Sequence, residues 1–253
     1  MAKIGLVLSG GGVKGIAHLG LLKALEELGI KPTVISGVSS GAVIGALYAA
    51  GYTPMQILSM AKDHSPMSIM AVVLTAGGLF SPEVLKDVLM EALPQNDFAL
   101  LKIPLFVTAT DLNNCSSITF SEGVLNEVIV GSSAVPAVFD PIPHKHFLLV
   151  DGGVLNDFPV DCLTGKCDKI IGSQVNKLVN SEGIKLSRLQ VLERCFHLAN
   201  AENCASQARL CDILIAPLLT PYNMVEMKYA DEIFEIGYQA TMAQKEDLLL
   251  LIN

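Results

Sequence analysis

The chain has 253 residues, 51% of them hydrophobic and only 17% charged, with no tryptophan and a formal net charge of −8. That length suits one large α/β domain with a sizeable core. Lys and Arg are scattered rather than clustered, which argues against nucleic acid and against attraction to anionic lipid by bulk charge.

The first apolar run passes directly into Ser9 and three glycines with no cleavage site, and no stretch reaches the roughly 20 apolar residues of a membrane span. The expected location is cytoplasmic, with the six cysteines reduced. No Cys or His pair has ligand spacing, so neither a metal nor a cofactor is expected.

In chain order, Lys3 to Leu8 reads as a buried parallel strand, being apolar without alternation. A glycine loop, Gly10 to Gly15, leads to a helix over Ile16 to Leu28 that stops at Gly29. A second strand, Thr33 to Ser36, closes a right-handed β-loop-α-β unit. It enters Gly37-Val38-Ser39-Ser40-Gly41, and a helix of small residues leaves from Ser40 to Ala50. Thr53-Pro54 starts a helix to Ala61, and Ser81-Pro82-Glu83 caps another to Ala92. Between them, 64–80 is apolar, methionine-rich and interrupted by Gly77-Gly78; it reads as either a buried connection or a mobile flap over an apolar site, with the methionines and glycines favouring the flap. Pro104 to Leu112 and Ser117 to Phe120 form a hairpin. A helix follows from Leu125 to the Ser132-Ser133 region. After a loop, Phe147 to Val150 is a strand running into Asp151-Gly152-Gly153. Lys169 to Val175 and Asp212 to Ala216 are further strands. Ser187 to Arg209 is helical, and Tyr229 to Ile252 reads as one long amphipathic helix.

Gly37-x-Ser39-x-Gly41 between a strand and a helix puts a serine on a sharp turn at a helix N-terminus, the setting of a nucleophile. The glycine loop has three readings. Gly10-x-Gly12-x-x-Gly15 fits a dinucleotide fingerprint, but the second strand ends without the acidic residue a ribose needs. A phosphate P-loop lacks its Gly-Lys-Ser/Thr. Third, the amides of Gly10, Gly11 and Gly12 can converge on a developing alkoxide as an oxyanion hole. Lys14 adds charge there or caps a surface turn.

A nucleophilic serine needs a base. Among the five histidines, His197 completes a Ser39-Asp151-His197 order but lies within a helix pattern. His144 and His146 read as surface residues, and His18 as a packed core residue. Asp151 is the better base: it ends a buried strand, and burial raises the proton affinity of a carboxylate.

Gly10-Gly11-Gly12-Val13-Lys14-Gly15, Gly37-Val38-Ser39-Ser40-Gly41 and Asp151-Gly152-Gly153 occur in the order and spacing of the patatin-like phospholipases. Ser133-Ala134-Val135-Pro136 and Pro159-Val160 also resemble that family. The resemblance is strong over 4–175, with 176–253 as the mainly helical C-terminal part of the same single domain. It implies a three-layer α/β/α fold with a mostly parallel central sheet and a Ser39-Asp151 dyad. By the same resemblance the Gly10–Gly12 amides form the oxyanion hole, and Lys14, Gly15, Gly37, Gly41, Gly152 and Gly153 support the site. The implied activity is hydrolysis of a lipid carboxylic ester, with transient membrane contact through 66–80. A catalytically silent adaptor and a dinucleotide-dependent enzyme are the alternatives. Two residues depart from the family pattern: Lys14 stands where arginine is frequent, and Asp157 where asparagine is expected, which adds negative charge beside the base.

Overall fold

The computed structural model describes residues 2–62, 82–180, 186 and 188–252. The apolar 64–80 segment lies outside the described residues.

An eight-stranded sheet organises the chain: β1 (Ile4–Leu8), β2 (Val34–Val38), β3 (Leu105–Asp111), β4 (Ser116–Phe120), β5 (Ile142–His144), β6 (Phe147–Asp151), β7 (Lys169–Ser173) and β8 (Ile213–Ile215). The hydrogen-bonded path runs β5-β6-β3-β2-β1-β7-β8, with β4 also on β3. β1, β2, β3, β7 and β8 pair in parallel, while β4, β5 and β6 join antiparallel. The helices are α1 (Ile16–Glu27), α2 (Ser40–Ala50), α3 (Pro54–Lys62), α4 (Pro82–Ala92), α5 (Leu125–Ser132), α6 (Arg188–Ala208), α7 (Ala230–Met242) and α8 (Lys245–Ile252).

β1 is buried at every position. Its Ile4, Leu6 and Leu8 join the core that includes α1, α2 and α5, while Val7 joins Phe158, Val160, Leu163 and Cys204 of α6 on the other face. This alternation explains why its sequence is apolar throughout: both faces of a central strand are covered. The result is the expected three-layer α/β/α arrangement with a mostly parallel sheet.

The registers on β3 decide where the chemistry falls. β4 pairs Val107 to Asp111, overlapping the stretch paired with β2 and the stretch paired with β6. A strand has only two edges, so β2 and β6 share the edge opposite β4. β2 ends with Val38 opposite Thr108, and β6 ends with Asp151 opposite Ala109. The C-termini of two oppositely directed strands therefore meet on one edge of β3. Asp151 is delivered by an antiparallel strand rather than by a βα crossover.

Three expectations need correction. The Tyr229–Ile252 helix is two helices: α7 stops at Met242 and α8 starts at Lys245. No proline or glycine marks the break; Gln244 between them donates to the Leu214 carbonyl of β8, 3.1 Å away. The loop before β6 contains a strand, β5, paired with Leu149 to Phe147. His144 at its end is buried rather than on the surface, 3.1 Å from the Glu127 carboxylate and edge-on to Phe120. His146 is exposed as expected.

Candidate active site

Ser39 lies between β2 and α2 with φ 52° and ψ −127°. A non-glycine residue in this region is strained, at a cost of order 1–3 kcal/mol. The surroundings hold it there. Ser39 N–H donates to Ser132 Oγ at 2.9 Å, and Ser132 Oγ donates to the Thr108 carbonyl at 2.7 Å. The elbow is thereby tied to α5 and to β3. Gly41 is obligatory for close approach, because a Cβ there would overlap the carbonyl oxygens of Leu8 and Ser9 at the end of β1. A Cβ on Gly37 would likewise strike the Gly41 carbonyl.

Asp151 is buried at the end of β6. Its N–H donates to the Ala134 carbonyl at 2.9 Å, and its Oδ1 accepts from Gly153 N–H at 2.8 Å. Burial pushes its carboxyl up to about 6, against hydrogen bonds from the Ser39 side chain and Gly153 N–H that favour the charged form. Gly152 backs onto the Thr108 carbonyl and Val38, closing the Asp-Gly-Gly turn against β2 and β3.

The glycine loop follows β1. Gly12 has φ +56°, where a side chain is strained, and a short 3-10 turn over Gly12–Gly15 passes directly into α1. Gly10 N–H donates to the Asp157 carbonyl at 3.3 Å, so that amide is already engaged. Gly15 packs against the Ser40 side chain. Lys14 is buried, not on a surface turn; its ammonium sits 2.8 Å from the Glu193 carboxylate of α6.

His18 supports the loop from below. Its Nε2 contacts the Ser9 carbonyl at 2.9 Å and its Nδ1 the Ser173 hydroxyl at 2.8 Å, linking the ends of β1 and β7. A carbonyl only accepts, so Nε2 carries the proton of the neutral ring. Burial, which lowers its pKa to about 4, keeps it so. Its expected role as a satisfied core residue holds.

These groups open into one cavity of about 500 Å³, within the range of sites that hold small apolar ligands. Ser39, Asp151, Asp157 and Asn176 form its polar end; Ile16, Leu19, Val43, Ile44, Leu85 and Phe139 are among its apolar walls. The side-chain oxygens of Ser40, Ser133 and Asn176 are buried along this lining without hydrogen-bond partners among the described residues. His197 also lines the cavity, held neutral near 4 chiefly by burial.

Several positioning residues carried no sequence signal. Ser132 reads there as the end of a short helix. Asn176 lies past β7 and donates to the Gly10 carbonyl at 2.9 Å. Asn200 donates to the carbonyls of Gly153 and Val154 at 3.0 and 2.9 Å, lacing α6 to the Asp-Gly-Gly turn. Ser39 for Ser132, Gly10 for Asn176 and Gly153 for Asn200 are each more than 40 residues away in the chain, beyond the reach of local pattern.

Fold and site together define a class: a three-layer α/β/α protein in which a strained serine elbow and an Asp-Gly-Gly turn face one apolar chamber. The chain belongs to the patatin-like phospholipase family, which it matches over residues 6–163. It is 32% identical over 166 residues to an NTE family protein of Mycobacterium tuberculosis, covering 64% of this chain and 46% of that one. It is 27% identical to patatin-like phospholipase domain-containing protein 7 of Rattus norvegicus, over 93% of this chain and 20% of that one. The chain thus spans less than half the length of these relatives. In fold it resembles VipD from Legionella pneumophila, with a TM-score of 0.57 at 16% identity, over 97% of this chain and 67% of the other. It also resembles human GIVD cytosolic phospholipase A2, with a TM-score of 0.51 at 14% identity over 98% and 58% of the two chains. No helix among the described residues is long and apolar enough to cross a membrane.

Proposed function

We propose that the chain is a lipid acyl hydrolase that cleaves carboxylic esters through a Ser39-Asp151 dyad. The observation that carries this reading is the meeting of the β2 and β6 ends on one edge of β3, at the polar end of an apolar cavity. Family membership supports it, as does the likeness in fold to a human cytosolic phospholipase A2.

In this reading Asp151 takes the proton of the Ser39 hydroxyl as its oxygen bonds to the ester carbonyl carbon. The carbonyl oxygen gains the negative charge and is held by Gly11 and Gly12 N–H at the head of α1, whose helix dipole favours an anion. The intermediate collapses, the ester C–O bond breaks, and Asp151 returns the proton to the departing alkoxide. A water then repeats the sequence: Asp151 takes its proton, the oxygen attacks the acyl-serine, and the Ser39 oxygen leaves and recovers the proton. A carboxyl raised to about 6 is ionised at neutral pH yet more basic than a solvated aspartate. The apolar walls take the acyl chain.

The test joins hydrolysis of p-nitrophenyl butyrate and a lysophospholipid with covalent labelling by a fluorophosphonate. Ser39→Ala is expected to abolish both, and Asp151→Asn to abolish turnover. Hydrolysis that persists in Ser39→Ala overturns the reading.

A further inference from the structure

The proposed reaction makes no use of Asp157, a buried carboxyl on the cavity wall. Its Oδ1 occupies the space where a Cβ on Gly10 would stand, and lies 3.0 Å from where a Cβ on Gly153 would stand. Asp151 Oδ1 is also 3.0 Å from that second point, so the two carboxyl oxygens are no more than twice that distance apart. Asp157 Oδ2 accepts from Asn176 Nδ2 at 3.1 Å. Two buried carboxylates this close resist joint ionisation unless a cation joins them.

No cation contacts Asp157 among the described residues. From the turn after β1 comes Lys14, whose ammonium is committed to Glu193 of α6 at 2.8 Å. From α6 come the Cys204 thiol, which burial pushes up to about 12, and the His197 ring, lowered to about 4; both are neutral between those limits. β6 contributes Asp151 itself, and the segment after β7 contributes the neutral amide of Asn176.

A protonated carboxyl has the shape of a carboxamide and likewise offers a donor; an ionised one has the shape but adds a full negative charge. We infer that Asp157 is compatible with turnover only while it carries a proton, and that its ionisation switches off turnover at alkaline pH. This rests on the Ser39-Asp151 reading above. Asp157 Oδ1 stands against Gly10 of the glycine loop. Its charge therefore opposes an oxyanion held by the neighbouring Gly11 and Gly12 amides.

The electrostatics agree with the geometry. Burial first, and then the charge of Asp151, push Asp157 up to about 7, against hydrogen bonds from Asn176 and Gly10 N–H and the more distant charge of Lys14, while Asp151 is pushed up to about 6. The two proton releases belong to the interacting pair. The lower one creates the base and the upper one adds the opposing charge, so the rate rises through the first and falls through the second.

The experiment is kcat/KM for p-nitrophenyl butyrate from about pH 5 to about pH 9, corrected for spontaneous hydrolysis, with each protein normalised to its own maximum. The wild type is expected to give a bell whose alkaline limb falls about tenfold or more, and Asp157→Asn to keep the acid limb and lose the alkaline one. A wild-type profile that stays flat to the alkaline end, or an alkaline limb unchanged in Asp157→Asn, overturns the inference. A second measurement needs no variant at the site: infrared difference spectra of the wild type should show a protonated-carboxyl carbonyl band lost between about pH 6 and about pH 9, and its absence counts against the inference. Ser39→Ala in the same series separates the two claims. Its residual hydrolysis tests the dyad, whereas the limb in Asp157→Asn tests only Asp157.

Discussion

Ser39 keeps its strained conformation because its one backbone donor has a fixed acceptor. Ser132 Oγ accepts that N–H and passes its own proton to the Thr108 carbonyl. Ser132→Ala leaves a buried donor and a buried acceptor unpaired, which costs about 1–3 kcal/mol. We expect this variant to lower the thermal midpoint and to reduce kcat about tenfold while KM changes little, since what is lost is the aim of the hydroxyl. Steady-state kinetics beside a melting curve checks it; an unchanged kcat removes Ser132 from the positioning role. At this scale the sequence was most readable where chemistry and backbone demand coincide. Gly37, Ser39 and Gly41 form one local unit whose spacing is dictated by the turn. Asp151 was readable for the same reason, since Asp-Gly-Gly ends a strand. Ser132, Asn176 and Asn200 were not, because a serine at a helix end and an asparagine after a strand have many ordinary uses.

Among the elements, α6 is held to the site by polar side chains rather than by a continuous apolar stripe. Asn200 reaches the Gly153 and Val154 carbonyls, Gln207 Oε1 accepts from the N–H groups of Val160 and Asp161, and Lys14 pairs with Glu193. Asn200→Ala frees the turn that carries Asp151. We expect a loss of about 2 kcal/mol from the missing hydrogen bonds, faster amide exchange over 152–155, and lower turnover. Amide exchange as slow as in the wild type would show that α6 does not hold the turn. β1, β2 and β3 were legible because each is a short, largely apolar buried run flanked by turn residues. β5 was hidden by its length and by Pro143, and the α7–α8 break falls at Gln244, whose side chain bonds β8, with no helix-stopping residue to mark it. In both, tertiary structure overrode local preference.

For the molecule as a whole, the seam between α1 and α7 joins the two ends of the chain. A Cβ on Gly20 would overlap the Phe234 carbonyl, and one on Gly237 would overlap the Ala17 carbonyl. The helices thus meet backbone to backbone, and a single added methyl at either glycine has no room. Gly237→Ala is expected to destabilise by about 1–3 kcal/mol, as overpacking does, read as a lower denaturation midpoint with an unchanged slope. The seam also bears on timing. Gly20 and Gly237 are separated by most of the chain, so their contact closes a very long loop, and such contacts form late in folding. A contact made after the transition state shows itself in the rate of unfolding. Gly237→Ala should therefore accelerate unfolding while leaving refolding nearly unchanged; equal effects on both would mean that the seam forms early. The glycine loop feeds directly into α1, so the loop gains its final support only when α7 docks on that helix.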